Sequence, residues 1–102
     1  MDLQELMDLI EKDWPFSEEK YPKLKGKSDK EIRDFAIRRI CFRHMKLLGT
    51  LCEVIDNEDH GQKAIIPMEY TLAKMLRNTL RLAKILDLSA KDFAWHVGGW
   101  KS

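Results

Sequence analysis

SDKEIRDFAIRRICFRHMKLLGTLCEVIDN, the stretch from Ser28 to Asn57, contains no proline and a single glycine, Gly49. Its opening residues, Ser28-Asp29-Lys30-Glu31, form a capping-box pattern. Ser28 is placed to accept from an early helix N–H, and Glu31 to reach back to the backbone of Ser28. Gly49 costs roughly 1 kcal/mol against alanine, too little to interrupt a helix of this length. Winding the stretch at about 100° per residue puts Ile37, Ile40, Cys41, His44, Leu48, Leu51 and Ile55 on one face, flanked by Leu47, Cys52 and Val54. Arg39, Arg43, Lys46, Thr50, Glu53 and Asn57 fall opposite. The apolar sector is wider than a coiled-coil seam, as expected of a central helix with several neighbours.

Working outward, Leu3, Leu6, Met7 and Ile10 recur at helical spacing and predict a short amphipathic helix over Asp2–Asp13. Trp14-Pro15 ends it, because the residue before a proline is pushed out of the α region. The connector at 14–27 carries Trp14, Phe16 and Tyr21, rings expected to pin it to the core. On the other side, Asn57 to Gly61 reads as a polar turn closed by glycine, within a loop that runs to residue 66. Pro67 suits the start of a third helix reaching Leu86, with Glu69 favourable in its first turn. Met68, Leu72, Met75, Leu76, Thr79, Leu82, Ala83 and Leu86 are expected inside, and Lys74, Arg77, Asn78, Arg81 and Lys84 outside. Ser89, with Asp92 three residues on, is expected to cap a last short helix that turns Phe93, Ala94 and Val97 inward and stops at Gly98-Gly99. Trp100 in the tail suggests a contact with another chain. The fold predicted is all-α: an antiparallel bundle of about four helices, two long and two short, in one domain over 1–102.

With 44% apolar and 34% charged residues, the composition is that of an ordinary globular chain and excludes a disordered one. No apolar run is long enough to span a bilayer, and the acidic N-terminus lacks the basic and apolar regions of a signal peptide. A cytoplasmic location is the expectation. Cys41 and Cys52 lie eleven residues apart on one helix, a rise of roughly 16 Å. A disulfide needs Cα atoms within about 7 Å, so both are expected as free, buried thiols. Net charge is only +1, but residues 1–19 hold seven acids against Lys12 alone. That asymmetry suggests either an acidic segment packed beside basic helices or a basic surface for a phosphate-bearing ligand.

Three groups carry candidate chemistry. Glu53 and Asp56 stand at i, i+3 with Asp59 and His60 beyond, and Glu69 begins the facing helix. Such oxygen ligands could share Mg²⁺, but the plainer expectation is a solvated helix end. His44 falls near the middle of the apolar face, with Cys41 one turn away. A core histidine with a hydrogen-bonded partner is expected there rather than a base or metal ligand. Lys74, Arg77, Arg81 and Lys84 form a one-sign stripe that Arg39, Arg43 and Lys46 could extend into a surface for nucleotide phosphates or nucleic acid. The plainer expectation is a solvated face, since no aromatics interleave with the stripe. No phosphate-cradling glycine loop, nucleophile elbow, paired CxxC or HExxH occurs.

Leu80-Arg81-Leu82-Ala83-Lys84-Ile85-Leu86-Asp87-Leu88 resembles the closing helix of the MazG-like all-α nucleoside triphosphate pyrophosphatases. Gly49-Thr50-Leu51-Cys52-Glu53 is similar to their first metal-binding helix, so the resemblance spans roughly residues 40–90. It implies a helical bundle that dimerises, and Mg²⁺-dependent hydrolysis of nucleoside triphosphates by four carboxylates. The chain departs from that set: only Glu53 matches, while Thr50, Thr71 and Lys74 stand where the other carboxylates are expected. A lysine there substitutes repulsion for coordination of the cation. The expectation is therefore a MazG-like homodimer without the family's catalysis and with no resident cofactor, acting as a binding or structural component. A divergent hydrolase using Glu53, Asp56 and Glu69 with Mg²⁺ is the alternative, and nucleic-acid binding through the basic stripe the third reading.

Overall fold

The computed structural model describes residues 1–63 and 67–99; Trp100 lies outside them. Four helices follow in order: α1 (Leu3–Lys12), α2 (Asp29–Asp59), α3 (Met68–Ile85) and α4 (Ala90–Gly98), with a 3₁₀ turn at Pro22–Leu24 in the connector. No strand occurs among the described residues. Each start is capped locally where the sequence has a capping residue. Asp2 accepts from the Glu5 N–H at 2.8 Å, and Ser89 accepts from the Asp92 N–H at 3.1 Å. The reciprocal box at Ser28 and Glu31 is complete. It leaves Glu31 with a carboxyl below its usual range, chiefly through the Ser28 backbone N–H. α3 has Pro67 before it as an uncapped start.

α2 packs chiefly on α3, α3 on α1, and α1 on α4. The core is correspondingly in two parts. Phe16, Leu24, Phe35, Ala36 and Ile40 form one, closed by Tyr21, Ile32, Leu82 and Ile85. Here the connector is held as expected: Phe16 meets Phe35 edge-on at 6.2 Å between centroids and packs 5.9 Å from Tyr21. The second part joins Met7 and Ile10 of α1 to Leu80 and Ala83 of α3, with Phe93 of α4 packed against it.

The rotation of α3 differs from the sequence expectation. Leu72, Leu76 and Leu86 are exposed, whereas Asn78 and Arg81 are buried. α3 is shared between α2 on one side and α1 on another, so its buried surface is two separate strips instead of one apolar sector. On α4, Ala94 and Val97 face outward and only Phe93 of the expected trio is drawn in. Cys41 and Cys52 are free as expected, but both are exposed. They sit on a flank of α2 that no other described element covers.

The resulting molecule is a slab of 50 × 43 × 22 Å with a radius of gyration of 16.4 Å, against about 13 Å for a compact chain of this length. Its accessible surface, 7681 Å², exceeds by roughly 1,700 Å² that of a compact monomer of its mass.

Candidate functional site

The antiparallel pairing of α2 and α3 creates a seam with two unlike sides. Along the seam run Ile40, Val54, Thr71 and Asn78, all buried. On one side α2 presents Cys41, Met45, Leu48, Cys52 and Ile55, all exposed, with Ile37 half-buried at the head of the row. These recur every three or four residues, so they form a continuous stripe. Met45 is 72% exposed. Leu72 and Leu86 of α3 extend the same apolar face, with Met75 half-buried between them. His44 is half-buried at its edge, beside Ile40, Leu48 and Leu82 in a shallow groove. It has no hydrogen-bond partner among the described residues, so it is not the enclosed core histidine expected.

The other side is cationic. Arg43 and Lys46 of α2 face Lys74, Arg77 and Arg81 of α3 across a groove of about 410 Å³, with Thr50 and Asn78 between them. Helical spacing brings the five together: Arg43 and Lys46 are one turn apart, as are Lys74 and Arg77, and Arg81 lies one turn further on. Arg43 is fixed by donating to the Tyr21 hydroxyl at 2.6 Å and by lying 5.1 Å over the Phe16 ring. Lys74 sits 4.4 Å over the Tyr70 ring and Lys46 5.6 Å over Phe42. Among the described residues, no carboxylate comes within ion-pair distance of Arg43, Lys46, Lys74 or Arg77.

Arg81 is the floor of this groove and is only 5% exposed. It donates to the Asp13 carbonyl at 3.1 Å and lies 4.0 Å from the Asp13 carboxylate. Its Nε is buried, with no partner among the described residues. Burial pushes its guanidinium down from the usual value; Asp13 opposes this, and the neighbouring charges of Arg77 and Arg43 add to it.

The four-residue stripe read from the sequence thus divides. Lys74 and Arg77 stay exposed in the groove, while Arg81 and Lys84 turn toward α1. Lys84 bridges Glu11 at 3.1 Å and Asp8 at 3.4 Å. The acidic N-terminal segment therefore does pack beside the basic helix, within one chain. Arg39, grouped with the stripe in sequence, instead lies between the Tyr21 and Phe42 rings.

The carboxylates do not converge. Glu53, Asp56 and Glu69 are exposed, and Asp56 is engaged locally with His60 at 3.7 Å. Relative to buried Ile40 and Val54, the phases of Glu53 and Asp56 point away from α3. Among the described residues, no three His, Cys, Asp or Glu side chains are grouped to hold a metal ion. Thr50 and Lys74, two of the positions where the MazG-like resemblance expects carboxylates, instead line the cationic groove. Thr50 and Asn78 also line the groove; being uncharged, they carry no signal in the sequence that marks them as contact residues. No family model, no curated protein and no solved structure matches the chain.

Proposed function

We propose that the chain is a small cytoplasmic helical protein of MazG-like architecture that acts without catalysis, as a homodimeric binding or structural component. One observation supports the homodimeric part of this reading: the stripe of exposed apolar side chains on α2, continued by Leu72 and Leu86 on α3. Exposed single apolar residues are ordinary, but a contiguous helical face of them marks an interaction surface. The excess accessible surface of roughly 1,700 Å² is more than the ~800 Å² per partner of a standard interface.

The stripe is also self-complementary, which favours a second copy as the occupant. Cys41 and Cys52 are equidistant from the point between Lys46 and Leu47, and so are Met45 and Leu48. Ile37 mirrors Ile55, and exposed Arg38 mirrors exposed Asp56, each to within one residue. A two-fold interface requires that residue i meet j while j meets i. Antiparallel pairing of α2 on α2 about that point satisfies the requirement with apolar pairs and opposite charges. The hydrolase alternative has no favouring observation of this kind, because Glu53, Asp56 and Glu69 stand apart.

This pairing places Cys41 of one copy beside Cys52 of the other. Treatment with a short bis-maleimide should cross-link the chain into dimers. Cys41→Ser and Cys52→Ser should each fail to cross-link alone, yet a mixture of the two variants should recover the cross-linked dimer. Equal cross-linking of either single variant, or none in the unaltered chain, would refute the antiparallel arrangement.

A further inference from the structure

The cationic groove is on the opposite side of the α2–α3 seam from the apolar stripe, so a dimer formed through the stripe would leave it open. Five positive side chains share its walls, and the nearest compensation is Asp13, at 4.0 Å from Arg81 alone. A buried guanidinium is stabilised only when its donors are matched. Arg81 satisfies one donor on the Asp13 carbonyl and leaves Nε unmatched. Arg43 and Arg77 crowd it with like charge. An anion in the groove would relieve the repulsion.

The shape limits what kind of anion. Arg43 to Thr50 spans two turns of α2, roughly 10 Å, and the volume of about 410 Å³ suits a small group. Carboxylates flank the groove at two ends: Glu53 stands one turn beyond Thr50 and Asp13 lies at the Arg81 end, while Arg39, one turn before Arg43, is taken up by the Tyr21 and Phe42 rings. A long polyanion would meet these carboxylates, whereas a chain of two or three phosphates would not. Guanidinium forks match phosphate oxygens in pairs, and lysines add charge without fixed geometry. Thr50 and Asn78 supply neutral hydrogen-bonding groups between the charged walls.

We propose that the groove formed by Arg43, Lys46, Lys74, Arg77 and Arg81 is a binding site for a compact oligophosphate, a di- or triphosphate group, held directly by the cations without a bridging metal ion. The phosphates could be free or could belong to a nucleotide, since the groove reads the phosphate chain.

The test is calorimetric titration of the full chain with inorganic phosphate, pyrophosphate, tripolyphosphate and ATP, in EDTA and then in Mg²⁺. Tripolyphosphate should bind in EDTA, more tightly than inorganic phosphate, and Mg²⁺ should weaken it by neutralising the ligand. Tripolyphosphate and ATP within threefold of each other would identify the phosphate chain as the feature read. ATP alone binding would place recognition on the nucleoside and overturn the proposal. Lys74→Glu with Arg77→Glu, both exposed, should lower affinity at least tenfold, while Lys30→Glu, exposed at the start of α2, should leave it unchanged. Absence of tripolyphosphate binding, equal binding by all variants, or a strict requirement for Mg²⁺ would each overturn the site. So would an oligonucleotide that binds more tightly the longer it is, which would make the groove part of a nucleic-acid surface.

Discussion

Asp87 holds a left-handed backbone at φ 60°, and Gly61 one at φ 75°; each residue ends a long helix. Both close the same double hydrogen bond. Gly61 N–H donates to the Glu58 carbonyl and Gln62 N–H to Asn57, while Asp87 N–H donates to Lys84 and Leu88 N–H to Ala83. This is the Schellman arrangement, in which the left-handed position favours glycine. A Cβ at Gly61 would have open space around it, so only its backbone matters. Gly61→Ala should therefore cost about 1 kcal/mol, and Asp87→Gly should gain up to about 1 kcal/mol. Thermal or urea unfolding of the two variants checks both signs. The glycine stop was readable from its residue type; the end of α3 near Leu86 was readable too, but not the left-handed backbone of Asp87, because aspartate is only tolerated in that conformation and also occurs everywhere else.

At the scale of the element, α1 is tied to α3 by apolar contact through Met7, Ile10, Leu80 and Ala83, and by charge through Lys84. The Asp8 carboxyl is held below its ordinary value of 3.8, first by the Gln4 amide and then by Lys84. Its contribution is therefore present above 3.8 and lost as pH falls through the lowered value. Hydrogen bonds to Glu11 and then Asp8 raise Lys84 above 10.5, so that contribution is complete below 10.5 and lost as pH rises through the raised value. Gln4 acts within α1, so only the Lys84 part ties α1 to α3; that part should be firm at neutral pH and loosen at acid pH first. Hydrogen exchange at the Met7 and Ile10 amides, corrected for intrinsic rates, should show α1 protection falling relative to α2 well below pH 3.8. Lys84→Met should reduce that difference, because the carboxylates then lose their shared partner.

The elements themselves were readable wherever the signal was local. Ser28 with Glu31, Ser89 with Asp92, and the unbroken run after Glu31 depend only on neighbours along the chain, and each behaves as expected. Which flank of α3 would be covered was not readable, since periodicity defines a sector without naming what packs on it. Arg81 shows the difficulty. Its place in a basic stripe suggested solvent, yet the Asp13 carbonyl, 68 residues away, draws it beneath α1. Likewise Lys74, Arg77, Arg43 and Lys46 were recognisable as cations, but only the α2–α3 pairing makes them one groove.

For the whole molecule, the proposed dimer rests on an incomplete burial. Only Val54 is fully covered in the second half of α2, while Leu48, Ile55 and Met45 remain in water. Burial of apolar surface contributes roughly 25 cal/mol per Å², so closing this face would stabilise the chain. It would also thicken a slab only 22 Å deep and leave the cationic groove outside on each copy. The most direct test is sedimentation equilibrium of the chain and of Met45→Glu with Leu48→Glu, whose positions are already exposed and so need not disturb the monomer. The unaltered chain should sediment at about twice its 12.0 kDa, and the variant should fall to the single-chain mass with its helix content intact. A chain that sediments at 12.0 kDa up to high concentration, or a charged variant that keeps the doubled mass, would contradict the account.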